Sequence, residues 1–263
     1  MAGKILTFPP SVLLMIKYKV ERYSMTHTIF ILTLFAITLA ALGGLYVFAW
    51  SVPTWQIFGP ALVRGPATGG RIALTFDDGP APPFTGQILD ILRASKVPAT
   101  FFVCGKNVER FPQLLRRIQA EGHTIGNHTY SHEFPYFRSQ RKFAIEIDRT
   151  QEAIAKVTGQ HPVIFRPPFG ARWLGFYPVL RERGLRLVNW SDAGFDWLEK
   201  SDIVRRTLKN LGPGSIILLH DGRRADPPET FDRSRTVNAL PVIIDAARAA
   251  GLTFVPLTEF LSS

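Results

Sequence analysis

Seven short apolar runs alternate with longer amphipathic stretches from Arg71 to the end of this 263-residue chain. The runs are rich in β-branched and aromatic residues, which favour strands, and the longer stretches repeat their apolar positions at helical spacing. The predicted strands lie at 71–76, 98–104, 123–126, 162–166, 186–190, 215–220 and 252–256. The predicted helices lie at 86–95, 111–121, 138–158, 176–184, 202–211 and 237–250. This alternation predicts an α/β fold with a mostly parallel sheet, either open or curled into a small, incomplete barrel.

The first part of the chain differs, because no Asp, Glu, Lys or Arg occurs from Tyr23 to Val63. Residues 28–50 are mostly apolar and would span roughly 35 Å as a helix, enough to cross a bilayer core. Basic residues precede this stretch, so the positive-inside rule predicts a cytoplasmic segment at 1–27 and a single transmembrane helix at 28–50. The rest of the chain would then lie outside the cytoplasmic membrane. A start at Met25 would remove the basic flank on which this topology depends.

A cleaved signal peptide is the alternative explanation of the apolar stretch, with processing near Leu39-Ala40-Ala41 and a secreted product. We favour the uncleaved anchor, because the apolar stretch continues well beyond the usual length of a signal peptide. Residues 51–70 contain three prolines and a Gly-Gly pair, which predict a linker. Residues 71–263 are expected to form one domain.

The formal net charge is +10, of which Lys4, Lys17, Lys19 and Arg22 against Glu21 contribute +3 and the rest of the chain +7. A basic surface of this size either keeps the protein soluble or attracts an anionic polymer or lipid headgroups. Aromatic residues do not interleave with runs of Lys or Arg, so nucleic acid is not expected as a partner. The single cysteine excludes an intrachain disulfide.

Acidic, histidine and arginine side chains end or follow the predicted strands in order: Asp77-Asp78, His128, Arg166, Asp192 with Asp196, and His220. The carboxyl ends of parallel strands are where α/β folds place their sites. Each motif alone has a structural explanation, such as an Asp-Gly turn, a capped helix start or a buried core histidine. Their succession at strand ends favours a functional site. Adjacent carboxylates repel unless a cation separates their roles, and an Asp with a His pair at i, i+4 suits a hydrolytic metal site.

On these motifs the chain resembles the polysaccharide deacetylases of the NodB-homology type, carbohydrate esterase family 4. The resemblance covers about Arg71 to Phe260. Its five motifs correspond to Thr75–Pro80, His128–His132, Arg166–Gly170, Asp192–Trp197 and Leu218–His220. It implies a deformed (β/α)7-type barrel, here preceded by one N-terminal transmembrane helix, and metal-dependent removal of N-acetyl groups from aminosugars.

The resemblance also implies a ligand set of Asp78, His128 and His132 for one divalent metal ion. The metal expected first is zinc, which is common in this family, and related enzymes accept cobalt, nickel or manganese. Asp77 would be the general base for the attacking water, and His220 the general acid for the departing amine.

Four further roles follow from the same resemblance. Arg166 would pair with Asp77 and orient it, while Asp196 would pair with His220, raising its pKa and fixing its ring. The backbone N–H of Phe169 would hold the oxyanion. The side chains expected to wall the pocket for the acetyl methyl group are Trp197 and Leu218.

The chain departs from the family pattern at two positions. Phe169 stands where the family usually has Tyr, which should alter substrate contacts more than chemistry if the backbone N–H acts there. In the fourth motif Ala193 stands where an acidic residue is frequent, and Asp192 comes one residue early and is left unassigned.

The sequence therefore predicts a membrane-anchored, metal-dependent deacetylase of N-acetylglucosamine-type residues in a cell-envelope or extracellular polysaccharide or oligosaccharide. A deacylase or deformylase of a polyprenyl-linked aminosugar at the membrane surface is the close alternative. A catalytically inactive sugar-binding module is the alternative from a different class, and it would be expected to lack Asp77 or His220. A structural membrane protein that only recruits partners has no supporting repeat or exposed amphipathic stripe.

Overall fold

The computed structural model describes residues 9–51, 56, 58–133, 139–173 and 175–261. The chain divides into two compact units, residues 1–49 and residues 50–263. Helix α1, Pro10–Ser51, supplies the described residues of the first unit, and its apolar span Pro10–Leu45 has a mean hydropathy of 2.3. By length and composition this helix is able to cross a membrane. It begins well before the predicted span at 28–50. Residues 10–27 start with Pro at the first helical position, which is favourable there, and include good helix formers such as Leu, Met, Lys and Glu.

All strands of the second unit are parallel, and they form one curled half-barrel with the order β5-β4-β3-β2-β1-β7-β6, with β8 beside the start of β1. The strands are β1 Arg71–Asp77, β2 Thr100–Val103, β3 Thr124–Asn127, β4 Ile164–Phe165, β5 Arg186–Leu187, β6 Asp192–Ala193, β7 Ile216–His220 and β8 Thr253–Phe254. The expected deformed barrel is confirmed. Strand β6 was not predicted, because Ser191-Asp192-Ala193-Gly194 contains no β-branched or aromatic residue.

Among the described residues of the second unit, seven α-helices follow or connect these strands. They are α2 Phe84–Ser95, α3 Gly105–Arg110, α4 Pro112–Ala120, α5 Gln140–Thr158, α6 Phe176–Glu182, α7 Ile203–Leu208 and α8 Ser234–Ala249. Helix α3 was not predicted and precedes the predicted helix at 111–121. Short 3-10 turns lie at Pro168–Gly170, Pro228–Thr230 and Leu257–Leu261.

Strand β1 shows how the two-residue period of a strand separates the core from the site. Ile72, Leu74 and Phe76 are fully buried against the surrounding helices. The alternate residues Ala73 and Asp77 face the other way, where Ala73 packs among side chains of the barrel interior. The acidic end of β1 therefore points to the inside of the half-barrel.

The second half of the predicted linker is packed onto the barrel. Leu62 forms a parallel bridge with Val188 just beyond β5, and the N–H of Gly65 donates to the carbonyl of Gly214 at 2.7 Å. A side chain at position 65 would meet the ring of Phe260 at 2.4 Å, so this close approach requires glycine. Linker residues 52–55 and 57 lie outside the described residues. From about residue 58 the segment is part of the folded unit, although its prolines predicted a separate linker.

Candidate active site

The polar side chains expected at the strand ends meet in one cleft of about 610 Å³. The predicted site residues that line it are Asp77, Asp78, His128, His132, Phe169, Asp196, Trp197, Leu218 and His220. Strands β1 and β7 are paired so that Asp77 lies opposite His220. Arg166, the remaining predicted residue, is fully buried beneath the cleft and does not line it.

Asp78, His128 and His132 bring one carboxylate oxygen and two imidazole nitrogens within 4.8 Å of one another. Oδ1 of Asp78 lies 3.3 Å from Nε2 of His128 and 3.0 Å from Nε2 of His132. All three side chains are buried. The backbone N–H of Arg224 donates to the other carboxylate oxygen at 2.7 Å, which leaves Oδ1 turned toward the histidines.

The tautomer of His128 fits a cation bound between Asp78, His128 and His132. Its Nδ1 lies 2.8 Å from the carbonyl oxygen of Arg166 and must carry the proton, because a carbonyl only accepts. In the neutral ring, Nε2 then presents a lone pair toward Asp78. Oδ1 of Asp78 is buried and accepts no well-formed hydrogen bond from the described residues. An acidic oxygen and imidazole lone pairs that converge in this way fit a divalent metal ion such as zinc.

The loop that presents the histidines contains two residues with left-handed backbone angles, Thr129 (φ 64°) and His132 (φ 54°). Such angles are unfavourable for residues with a side chain and persist only where the surroundings enforce them. Glu146 on α5 supplies this restraint, because one carboxylate oxygen accepts from the N–H groups of Tyr130 and Ser131 at 3.1 and 2.8 Å. The hydroxyl of Ser131 donates to the same oxygen at 2.8 Å. Sequence reasoning missed Glu146, since no local signal distinguishes it from Glu152, the other glutamate of α5.

Arg166 holds Asp77 from below. Its guanidinium donates to Oδ1 of Asp77 and to Oγ1 of Thr75, both at 2.7 Å, and to the carbonyl of Asn189 at 2.9 Å. It also lies over the ring of Phe102, 4.1 Å from the ring centroid. Arg166 therefore positions the Asp77 carboxylate and has no access to a molecule in the cleft.

Asp196 binds His220 through both carboxylate oxygens, one to Nδ1 and the other to the backbone N–H, each at 2.8 Å. The hydroxyl of Thr236 donates to the second oxygen at 2.8 Å. Burial alone would lower the pKa of His220, but the charge and hydrogen bond of Asp196 outweigh burial and raise the pKa above its usual value. The raised pKa favours the protonated form of His220, which is the form that a general acid needs.

The side chains predicted to wall the substrate pocket differ in exposure. Leu218 is 2 % exposed at the base of the cleft, whereas Phe169 and Trp197 are 45 % and 42 % exposed. The ring of Trp197 lies edge-on to His220, with 5.2 Å between the centroids. The ring of Phe169 lies edge-on to His132 at 4.9 Å. Apolar surface therefore lies beside both His220 and His132.

Asp221 is a buried acidic residue that sequence reasoning did not single out. Its carboxylate accepts from the N–H of Gly79 at 3.1 Å and from the hydroxyl of Thr85 at 2.6 Å, which fixes the turn after Asp78. Burial raises the pKa of Asp221 to about 7, and the nearby charge of Asp78 adds to this effect. Its place directly after His220 is visible in the sequence, but its burial is not.

Three further polar residues of the barrel unit lie apart from Asp78, His128 and His132. His123 accepts a hydrogen bond from the N–H of Ala99 at 3.2 Å in the core. His161 is exposed. Asp192 accepts from Ser191 at 2.6 Å and pairs with Arg64 at 3.3 Å, a contact that ties the segment before β1 to strand β6.

The family model for polysaccharide deacetylase matches residues 64–188 of this chain. A peptidoglycan-N-acetylglucosamine deacetylase of Bacillus cereus is 36% identical over 217 residues, covering 82% of this chain and 77% of that protein. A chitooligosaccharide deacetylase of Azorhizobium caulinodans is 36% identical over 193 residues, covering 71% of this chain and 92% of that protein.

A crystal structure of a peptidoglycan N-acetylglucosamine deacetylase superposes on this chain with a TM-score of 0.69 and 36% identity. The superposition covers 75% of this chain and 91% of that one. These two relatives and this structure each match more than two thirds of the chain. The chain therefore belongs to the polysaccharide deacetylase family, carbohydrate esterase family 4, and is an amide hydrolase.

Proposed function

We propose that this protein is a metal-dependent N-deacetylase of N-acetylglucosamine-type residues in a cell-envelope or extracellular polysaccharide or oligosaccharide. One observation carries the proposal: a restrained carboxylate, Asp77, and a protonatable His220 share a cleft with the Asp78-His128-His132 group. Amide hydrolysis needs both a base for water and an acid for the amine. The relatives named for peptidoglycan and chitooligosaccharide deacetylation support the same substrate class.

In this proposal Asp78, His128 and His132 hold the metal, most readily zinc, with cobalt, nickel or manganese as alternatives. A divalent ion at this place supplies Lewis-acid activation of the amide carbonyl and of water. The donor set of one carboxylate and two imidazoles leaves coordination positions open for these groups.

The chain's own residues divide the proton transfers between them. Asp77, oriented by Arg166, takes a proton from the water that attacks the acetamide carbon. His220 gives its proton to the amine nitrogen as the carbon–nitrogen bond breaks, because an unprotonated amine leaves poorly. Asp196 stabilises the imidazolium before this transfer. The N–H of Phe169 is the proposed donor to the oxyanion that forms on the acetamide oxygen. The products are acetate and a free amino sugar.

The aromatic rings at the cleft suit a sugar, since rings of Trp197 and Phe169 offer apolar faces for the C–H surface of a pyranose. Leu218 would bound the space for the acetyl methyl group. This arrangement favours a small acyl group on an aminosugar over a long-chain amide.

We further propose that α1 anchors the protein in the cytoplasmic membrane with the barrel outside. Its apolar span and the basic residues before residue 28 support this topology. A protease added to intact spheroplasts should then degrade the barrel, and a barrel that is protected until lysis would contradict the topology.

The direct test is acetate release from penta-N-acetylchitopentaose by the full-length chain in detergent micelles, loaded with zinc. We expect one free amine for each acetate released, and loss of release after chelation that zinc restores. A folded, zinc-loaded protein that releases no acetate from this substrate or from peptidoglycan glycan would contradict the proposed function.

The apolar helix also favours a second candidate, a deacylase or deformylase of a polyprenyl-linked aminosugar at the membrane surface. The same protein would then hydrolyse a lipid-linked N-acylated sugar much faster than the matching free sugar. Equal rates on the two would exclude this candidate. An inactive sugar-binding module is disfavoured, because Asp77 and His220 are both retained and each is held by its partner.

A further inference from the structure

Arg224 occupies an unusual backbone position in the loop after β7. Its φ of 51° is left-handed, a conformation in which glycine or asparagine meets less strain. Its N–H donates to Asp78 at 2.7 Å, and its carbonyl accepts from the side chain of Asn107 at 3.1 Å. The same amide of Asn107 also donates to the carbonyl of Asp78 at 2.8 Å. The backbone of Arg224 is therefore fixed against the ligand group.

The side chain of Arg224 is exposed and lines the cleft. Its guanidinium lies 5.7 Å from the ring centroid of Phe169, and that ring lies 4.9 Å from the ring of His132. The three groups lie in a row that begins at His132 and ends with the positive charge of Arg224 at the exposed side of the cleft. An arginine on an aromatic face keeps its hydrogen-bonding edge available.

The other arginines of the cleft have partners within the protein. Arg233 donates to the carbonyls of Gly222 and Asp196, and Arg235 donates to several backbone carbonyls. Arg223 lies 3.9 Å from a carboxylate of its own loop. Within the described part of the chain, the guanidinium of Arg224 has no carboxylate within ion-pair distance. A strained backbone that presents an unneutralised arginine beside a substrate cleft points to a role for that side chain.

We propose that Arg224 binds a carboxylate carried by the glycan, on the sugar that is deacetylated or on its neighbour. The paired N–H groups of a guanidinium match the two oxygens of a carboxylate. The contacts of Arg224 with Phe169 and of Phe169 with His132 set the distance between this guanidinium and the reacting amide. The inference rests on the proposed function and narrows its substrate to an acidic, N-acetylated glycan. The net charge of +10 favours the same kind of polymer.

The consequence is a preference for acidic over neutral glycans that depends on one side chain. The probe is a peptidoglycan tetrasaccharide without stem peptides, whose lactyl carboxylates are either free or converted to methyl amides. Dissociation constants for both forms are measured by calorimetry with zinc-loaded, full-length protein in micelles, alongside acetate release. We expect the wild type to bind the free acid more tightly, and the advantage to shrink as salt is raised.

The variants are Arg224→Gln, Arg224→Lys and the control Arg205→Gln. Arg205 is an exposed arginine of α7 outside the cleft, so its loss changes net charge by the same amount. We expect Arg224→Gln to reduce the ratio of affinities for the free acid and the methyl amide by about tenfold, because the variant loses one charge-assisted hydrogen bond. Arg224→Lys should keep part of the preference for the free acid, because lysine retains the positive charge but cannot donate two parallel hydrogen bonds to one carboxylate. Arg205→Gln should leave the ratio unchanged.

An unchanged ratio in Arg224→Gln, or an equal change in Arg205→Gln, would overturn the proposal. Because the ratio is a binding measurement, it tests Arg224 even if turnover is absent. Failure of the wild type to release acetate would count against the proposed function instead. A variant that does not fold would bind neither form, and Arg224→Lys then provides the test.

Discussion

Both carboxylate oxygens of Asp196 accept hydrogen bonds from His220, one from Nδ1 of the ring and one from the backbone N–H, each at 2.8 Å. This double contact fixes the imidazole on its backbone and leaves Nε2 as the only ring atom able to act on a substrate. It also counters the effect of burial on the pKa of His220, which rises above its usual value.

Asp196→Asn should therefore move the alkaline limb of the kcat/KM profile to lower pH. His220 must be protonated to act, so activity is lost as pH rises through its pKa, and removing the charge of Asp196 lowers that pKa. Rates from pH 5 to 10 measure the shift. The control is Asp192→Asn, whose partners are Ser191 and Arg64, and an equal shift in both variants would contradict this role.

Glu146→Ala should weaken zinc binding by roughly 10–100-fold, the usual effect of losing a group that orients metal ligands. The loop with His128 and His132 would lose three hydrogen bonds to one carboxylate oxygen. Competition with a chromogenic chelator measures the affinity. Glu152→Ala is the matched control, an exposed glutamate of the same helix, and similar losses in the two variants would exclude a specific role of Glu146.

Arg166→Met should lower the free energy of unfolding by about 3–5 kcal/mol, because Asp77 would keep a buried charge without its partner. Their side chains are 0% and 4% exposed. Combining the change with Asp77→Asn should cost less than the sum of the two single changes. Urea unfolding of all four proteins measures this coupling, and strict additivity would show that the pair does not interact as proposed.

Leu218→Ala should relax the choice of acyl group. Leu218 is 2% exposed at the base of the cleft, and its removal would admit an additional methylene. The rate ratio of N-propionyl to N-acetyl chitooligosaccharide should rise about tenfold or more, within the range for one methylene in an apolar pocket. A ratio that falls or stays constant would place the acyl group elsewhere in the cleft.

The sequence was sufficient to predict the features that rest on long, regular patterns. The alternation of Ile72, Leu74 and Phe76 in β1, with Asp77 at its end, predicted both a buried strand and the position of the acidic pair. The family motifs then indicated which of the polar side chains would meet, and the cleft does bring together Asp78, His128 and His132.

Features that depend on contacts between distant segments were not predictable. Strand β6 has two residues and exists because β7 pairs with it. Leu62 lies in a proline-rich stretch that predicts a linker, yet its backbone forms a parallel β-bridge with Val188. Glu146 is one of two glutamates on an amphipathic helix, and only the fold places it beneath the loop with His128 and His132. The oxyanion role of Phe169 stays a prediction.

The most direct test of the central claim compares Asp77→Asn with Asp78→Asn in zinc-loaded, full-length protein. Acetate release from penta-N-acetylchitopentaose and bound zinc are measured on the same samples. We predict that both variants lose acetate release, that Asp77→Asn keeps one zinc per chain, and that Asp78→Asn loses it. Equal zinc loss in the two variants, or acetate release that survives in Asp77→Asn, would contradict the division of roles between the adjacent carboxylates.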